Sequence, residues 1–287
     1  MKEETHQRTR LPKWMKMEMP SGANYSRVKN LVKKNGLHTI CTSGKCPNIG
    51  ECWNHGTATF MILGNICTRN CKFCGVPTGT PLIPDPEEPV KIAESIRIMS
   101  LKHAVITSVD RDDLPDLGAS FWVKTILKIK EVNPNVKMEV LIPDFQGKKE
   151  LIQQVINTSP EVISHNVETV ERLTPQIRSV AEYRRSLSVL SYISHSGIIT
   201  KSGIMLGLGE KEEEVIETMK DIRKAGCKVI TIGQYLAPPS SPLPVTEYIT
   251  PGQFDKYHKI GIELGFSFVE SSPLVRSSYH ADKHVNA

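Results

Sequence analysis

The chain has 287 residues and 39% hydrophobic content, enough for one large domain or two ordinary ones around a substantial core. Its net charge of +5 comes without any basic run interleaved with aromatics, so nothing supports a nucleic-acid partner, while a modestly basic face suits an acidic protein. The longest apolar runs, such as Val229–Ile232 and Phe60–Leu63, are too short to cross a bilayer, and the N-terminal MKEETHQRTRLPKW has no apolar h-region and carries acidic residues, which argues against a membrane span, a secretory signal or a transit peptide. A cytoplasmic protein is expected, in a compartment where thiols stay reduced and clustered cysteines bind metal more often than they bridge.

Residues Met1 to about Lys13 are polar, as a mobile terminus would be. From Ser21 to Asn35 the spacing of Tyr25, Val28, Leu31 and Val32 predicts an amphipathic helix stopped at Gly36. Gly44, Pro47 and Gly50 then predict a loop that folds back on itself. A rhythm begins at Thr57–Leu63, which reads as a buried strand. Helix Val90–Leu101, strand His103–Val109, helix Phe121–Val132, strand Lys137–Ile142 and helix Lys149–Asn157 follow. Strand Val162–Asn166, helix Tyr183–Ser194, strand Thr200–Leu206, helix Glu212–Ala225 and strand Val229–Gln234 complete it. Strands alternating with helices imply parallel pairing through right-handed crossovers. No glycine-rich dinucleotide fingerprint follows the first strand, which disfavours an open doubly wound sheet. The expected fold is α/β, a partial (β/α)6 TIM-type barrel over residues 57–236, with an N-terminal extension (1–56) and a C-terminal one (237–287). The C-terminal extension starts with the proline-rich 237–244, then a helix Gln253–Leu264 and a short strand Phe266–Glu270.

Six of the 7 cysteines fall between Cys41 and Cys74, in two triplets. Thiolates are the ligands of zinc and iron–sulfur clusters. Cys67-x3-Cys71-x2-Cys74 lies just past the first barrel strand, at the end where barrel chemistry gathers. It offers three thiolates to a cubane with four corners, leaving one iron open to a small molecule. A zinc site with His55 or water as fourth ligand is the competing reading. Cys227, between a helix stop and a strand, reads as a small buried residue.

The spacing CTRNCKFC, with Phe73 before its last cysteine, resembles the signature of radical S-adenosylmethionine enzymes. With CTSGKCPNIGEC (Cys41, Cys46, Cys52), TSVDRDDLPD (Thr107–Asp116), HNVET (His165–Thr169), TKSGIMLGLGE (Thr200–Glu210), IGQYLAP (Ile232–Pro238) and RSSYHA (Arg276–Ala281), the chain resembles the lipoyl synthase family over most of its length. The resemblance implies two 4Fe-4S clusters and two S-adenosylmethionine molecules consumed per lipoyl group. It also implies insertion of two sulfur atoms, at C6 and C8, into an octanoyl chain carried on a lysine. The catalytic cluster would sit on Cys67, Cys71 and Cys74. The auxiliary cluster, the sulfur source, would sit on Cys41, Cys46 and Cys52, with the first serine of RSSY, Ser277, as fourth ligand. The implied partners are an octanoylated lipoyl carrier domain (2-oxoacid dehydrogenase E2 subunits or glycine cleavage H protein) and an electron donor such as flavodoxin or ferredoxin; a monomer is expected.

Contacts to S-adenosylmethionine are expected from Phe73 and from residues past the strand ends: Thr107, Ser108 and Asp110, then Asn166 and Glu168, then Arg184 and Gln234. Glu168 on a ribose hydroxyl and Arg184 on the carboxylate are chemically sensible pairings, with a structural cap or a surface salt bridge as the competing reading of each. Gln234 and Tyr235 could face adenine or belong to the core. The chain departs from the family pattern at Leu117, where a glycine is usual, at Ser164, where an asparagine is common, and at Pro242, where a histidine is expected. Two other readings compete. A radical enzyme inserting sulfur into a free small molecule does not predict RSSYHA. An electron carrier would complete each cluster with four cysteines.

Overall fold

The structure, a computed structural model, describes residues 11–287 except 17, 18, 35, 37, 44, 45, 240 and 286. The polar terminus up to residue 10, Asn35 at the end of the first predicted helix, and Gly44 of the predicted loop lie outside the described residues.

Helix α1 (Ala23–Lys34) buries Val28 and Val32, as its spacing predicts. The segment after it departs from expectation. It holds a short strand β1 (His38–Thr39) and two short helices, α2 (Ile40–Ser43) and α3 (Ile49–Asn54). Cys41 lies on α2 and Cys52 on α3, while Cys46 N–H reaches back to Cys41 O at 2.9 Å. Both helices are too short to show a periodic pattern, and what holds α3 is packing: Trp53 is buried against α1, its ring 5.5 Å from that of Tyr25.

The barrel follows in the predicted order. β2 (Thr57–Ile62), α4 (Glu88–Met99), β3 (His103–Ser108), α5 (Ala119–Val132), β4 (Lys137–Leu141), α6 (Lys149–Ile156) and β5 (Val162–Ser164) come first. Then come α7 (Thr174–Ile177), a short helix the pattern did not predict, and α8 (Tyr183–Ser194), β6 (Ile199–Leu206), α9 (Glu212–Lys224) and β7 (Val229–Gln234). β2 and β7 are buried along their whole length, as strands covered on both faces must be. α9 places Glu212, Glu213 and Glu214 in its first turn and Arg223 and Lys224 in its last, complementing the helix dipole.

The sheet order is β1-β2-β3-β4-β5-β6-β7-β8, each strand beside its neighbour in sequence. From β2 onward every pair is parallel. Right-handed crossovers between sequential neighbours put all the helices on one face. The opposite face then becomes an interior, which is the logic of a barrel rather than of a doubly wound sheet. The six expected strands are present, and the sheet runs further. After α10 (Pro251–Glu263), started by the Thr250 cap and Pro251, strand β8 (Phe268–Ser271) pairs in parallel with β7. The segment taken for an extension therefore supplies a further barrel strand. A last short helix, α11 (Ala281–His284), closes the chain.

Two departures from the family pattern have local explanations. Leu117 sits at φ +53°, the left-handed region that glycine occupies without steric cost. Ser164 points into the interior and donates its hydroxyl to Glu139 at 3.0 Å. Pro242 is exposed, and nothing in the structure explains it.

Candidate active site

The loop after β2 carries Cys67, Cys71 and Cys74 and is fastened on several sides. Thr68 donates both N–H and hydroxyl to Asp110 O, at 3.1 and 2.9 Å. Cys67 N–H bonds Pro77 O, and Lys72 N–H bonds Ile177 O, both at 2.9 Å. The sulfur of Cys67 accepts from the backbone N–H of Asp110 (3.3 Å) and of Arg69 (3.4 Å). Arg69, with its side chain 3% exposed, binds Asp112 at 2.6 Å and Asp144 at 2.8 Å, with Asp110 at 3.3 Å. One guanidinium thus ties the cysteine loop to the ends of β3 and β4. Burial pushes Asp110 up to about 6 against the pull of Arg69. At Asp144 burial pushes upward too, but Arg69 outweighs it and brings the carboxyl to about 2.

A cavity of about 770 Å³ lies over the C-terminal ends of the strands, a size suited to a cofactor-sized ligand. Cys67, Cys71, Phe73 and Cys74 form one wall, and Thr107, Ser108 and Asp110 continue it. Asn166, Glu168 and Arg178 stand past β5, and Arg276 and Ser277 enter from the C-terminal segment. Several polar atoms here are buried without a partner among the described residues: Ser108 Oγ, Asn166 Oδ1 and Arg178 Nε. Such groups are costly unless something else binds them. Gly203 on β6 is required by close approach, since a Cβ there would meet Thr231 Oγ1 at 2.5 Å and Asn166 Oδ1 at 3.0 Å. Glu168 has φ +71°, held by Glu168 N–H to Gly203 O (3.0 Å) and Met205 N–H to Glu168 O (2.8 Å). Burial raises its carboxyl, opposed by Arg178.

Arg178 is fixed by a chain of bonds. Its Nη1 donates to Val167 O (3.2 Å) and to Ser186 Oγ (2.8 Å). His165 Nδ1 lies 3.0 Å from Ile142 O, which can only accept, so that nitrogen carries the hydrogen. Nε2 then accepts from Ser186 at 3.0 Å. Burial, reinforced by Arg178, brings His165 down to about 4, consistent with this neutral tautomer.

Beside the cavity is a second, smaller pocket. Cys41, Cys46 and Cys52 line it with Thr59, Arg276 and Ser278. Thr59 donates to Ser278 Oγ at 2.9 Å, and Asn48 Nδ2 donates to Leu274 O at 2.7 Å, drawing the C-terminal segment against α3 and β2. Arg276 lines both pockets. Burial pushes Cys46 up to about 11; burial and the charges of Cys46 and Cys41 push Cys52 up to about 12.

A model of the radical SAM superfamily matches residues 61–222, and one of the N-terminal domain of lipoyl synthase matches residues 1–46. A lipoyl synthase from Christiangramia forsetii is 60% identical over 276 residues, covering 96% of this chain and 94% of that protein. The chain belongs to the lipoyl synthase family. A mitochondrial lipoyl synthase from Nematostella vectensis is 59% identical over 96% of this chain and 95% of its own length. Among solved structures, Streptococcus suis SuiB bound to its precursor peptide SuiA has a TM-score of 0.61 at 11% identity, covering 88% of this chain and 55% of that one. Methylornithine synthase (PylB) has a TM-score of 0.53 at 11% identity, covering 86% of this chain and 85% of its own. At that identity the likeness concerns the fold alone, and it matches the partial barrel.

Against this lipoyl synthase frame, most predicted site residues come together. Phe73, Thr107, Ser108, Asp110, Asn166, Glu168 and Gln234 all line the cavity. Arg184 does not. Its side chain is 68% exposed on α8 and pairs with Glu171 at 2.7 Å. The helical phase holds the reason, because Tyr183, Ser186, Leu190 and Ile193 form the buried stripe and Arg184 falls outside it. The arginines that line the cavity are Arg69, Arg178 and Arg276, none of which sequence reasoning named as a contact; Arg178 stands in an irregular segment with no period to orient it. Gln234 is a clamp rather than a free contact: its Nε2 faces Leu206 O, Tyr235 O and Glu247 O, and its Oε1 accepts from Ile249 N–H. Thr107 spends its hydroxyl on Leu141 O at 3.2 Å. Of the two serines in RSSY, Ser277 faces the large cavity, whereas Ser278 lines the pocket of Cys41, Cys46 and Cys52. The expectation that Ser277 sits with that triplet is therefore corrected by one residue. Cys227 is fully buried, and burial pushes its thiol up.

Among the described residues no group of three or more His, Cys, Asp or Glu side chains is arranged to hold a single metal ion. The gap between Cys41, Cys46 and Cys52 is narrow, about 10 Å³, so a cluster seated there requires these thiols to turn. The fit to iron–sulfur clusters rests on the donors: three free thiols at each pocket, and unpaired polar atoms facing the larger one.

Proposed function

We propose that the two cysteine triplets of this lipoyl synthase hold two 4Fe-4S clusters, the catalytic one on Cys67, Cys71 and Cys74 and the auxiliary one on Cys41, Cys46 and Cys52 with Ser278. When bound, these groups and S-adenosylmethionine supply a radical that takes hydrogen from C6 and C8 of a carrier-bound octanoyl chain, and the sulfur that replaces it. The observation that carries this reading is the course of Arg276–Ser278, which borders both pockets at once.

This chain's residues then have definable work. The N–H groups of Arg69 and Asp110 stabilise charge on Cys67 sulfur. Arg178 presents a buried cation to the carboxylate of S-adenosylmethionine, and Glu168 a carboxyl to its ribose hydroxyls. Ser108 and Asn166 offer the polar atoms that lack partners among the described residues. Leu141, Ile204, Met205 and Val275 give the cavity apolar wall, which suits an aliphatic chain and excludes water. A hydroxyl oxygen is a weak partner for iron among thiolates, so Ser278 is the ligand most readily displaced. The carrier is an octanoylated E2 subunit or H protein, approached by a modestly basic surface.

The test is anaerobic reconstitution with iron counting, where two clusters correspond to about eight iron per chain. Octanoyl carrier, S-adenosylmethionine and reductant are then added. Ser278→Ala is expected to keep 5′-deoxyadenosine formation and lose the two-sulfur mass gain, with Ser277→Ala milder. Full sulfur insertion by Ser278→Ala would refute the role given to that serine.

A further inference from the structure

Below the cavity, the barrel interior holds a buried ion pair. Lys201 on β6 is 0% exposed and Glu139 on β4 is 1% exposed. Lys201 Nζ donates to both carboxylate oxygens of Glu139, each at 2.9 Å. An ammonium has three hydrogens and no acceptor. The third goes to Nδ1 of His284, at 3.2 Å. Because Lys201 can only donate, Nδ1 accepts, and the ring hydrogen sits on Nε2, 3.9 Å from Glu270 Oε1. His284 thus completes, from the far end of the chain, a valence that the barrel strands leave open.

The segment bearing His284 is also touched by Thr59 on Ser278 Oγ (2.9 Å), by Tyr279 hydroxyl on the Glu51 carboxylate (3.3 Å) and by His280 beside Glu270 (3.4 Å), and of these partners Glu51 is exposed. α11 spans only Ala281–His284, far too short to be stable alone, so docking holds it. Ala281 and His284 are fully buried, and the His284 ring meets that of Phe268 edge-on at 5.9 Å. Upstream, the segment is anchored by Asn48 on Leu274 O. Ser278 lies between these two anchors.

We propose that His284 is a positioning residue for sulfur insertion: by accepting the third hydrogen of buried Lys201 it seats the C-terminal segment and so places Ser278 at the small pocket. The proposal rests on the reading of Ser278 given above, and the mechanical part stands separately from it. Loss of the acceptor leaves a buried ammonium hydrogen without a partner, and the free energy of seating the segment falls accordingly.

The test compares His284→Leu, which removes the acceptor, with His284→Asn, whose side-chain oxygen can take the place of Nδ1. Hydrogen exchange of backbone amides over residues 274–284 is read on the reconstituted protein, together with the ratio of 5′-deoxyadenosine to lipoyl product. His284→Leu should speed exchange there by roughly tenfold or more, the effect of one hydrogen bond to a charged group. It should also raise the ratio without lowering total deoxyadenosine, and His284→Asn should restore both. Unchanged exchange in His284→Leu, or equal behaviour of the two variants, overturns the proposal. Should His284→Leu fail to fold, the double variant Lys201→Met with Glu139→Gln, which removes the donor and the pair together, must speed exchange of the same amides. Unchanged exchange there overturns it as well. Full sulfur insertion by Ser278→Ala would sink the reading of that serine, and the exchange comparison would still decide whether His284 seats the segment.

Discussion

Gly233, on β7, lies tight against the C-terminal segment. A Cβ built there would lie 2.1 Å from Val275 O and 3.0 Å from Val275 C. Ordinary contacts of a Cβ begin at 3.4 Å, so Gly233→Ala requires a displacement of at least about 1 Å. The strand cannot supply it, because β7 is hydrogen-bonded to β6 on one side and β8 on the other. The segment must retreat instead, and Arg276, Ser277 and Ser278 follow directly. Overpacking of this kind costs about 1–3 kcal/mol, which thermal unfolding should register as a loss of several degrees. A misplacement of about 1 Å at a reacting group can cost roughly 10²-fold in rate. Lipoyl product from octanoyl carrier should therefore fall by about that factor. Deoxyadenosine formation should fall much less, since Cys67, Cys71, Cys74 and Arg178 come from other parts of the chain. Wild-type lipoyl yield from a folded Gly233→Ala protein would refute the reasoning, because the close approach would then have no bearing on the chemistry.

Arg178→Lys should raise the KM for S-adenosylmethionine by roughly 10- to 100-fold, the loss of about 1.5–3 kcal/mol for a hydrogen bond to a charged group. Arg184→Ala should leave it unchanged, and the opposite pattern in deoxyadenosine kinetics would restore Arg184 to the site. Glu88 is raised from 4.5 to about 7, chiefly by burial against weaker help from the N–H groups of Leu63 and Gly64. Between those values the folded chain holds a proton that the unfolded chain has released, so stability falls as pH rises from about 4.5 to 7, by about 3 kcal/mol in all. Urea melts at pH 5 and pH 8 should show Glu88→Gln gaining stability on the parent at the higher pH, and a gain at the lower pH instead would reverse the sign argued here. Arg69→Ala strips the bidentate partner from Asp112 and the closest cation from Asp144, which is fully buried; about 3–5 kcal/mol should be lost in denaturant melts, with iron retention at Cys67 reduced.

The repeating helices and strands were legible because each obeys a local period. Tyr183–Ser194 and Val229–Gln234 have the ends that pattern and glycine stops predict. β8 was read as a strand but not as part of the barrel, since parallel pairing joins residues far apart and leaves no mark in either strand alone. The short helices around Cys41 and Cys52 carry too few turns for a period, and packing of Trp53 against α1 decides them.

By itself, the sequence determined the alternating βα plan, the two cysteine triplets and the family, because periodicity, ligand type and spacing are written along the chain. Only the tertiary structure decided which side chains converge. It set Arg178 in the cavity and Arg184 in solvent, put Ser278 rather than Ser277 beside the first triplet, and brought His284 to the open valence of Lys201. Adjacent residues differ little in composition or propensity, yet their side chains leave the backbone in different directions. Which of them meets a partner from another strand is set by packing, and packing is a property of the folded chain as a whole.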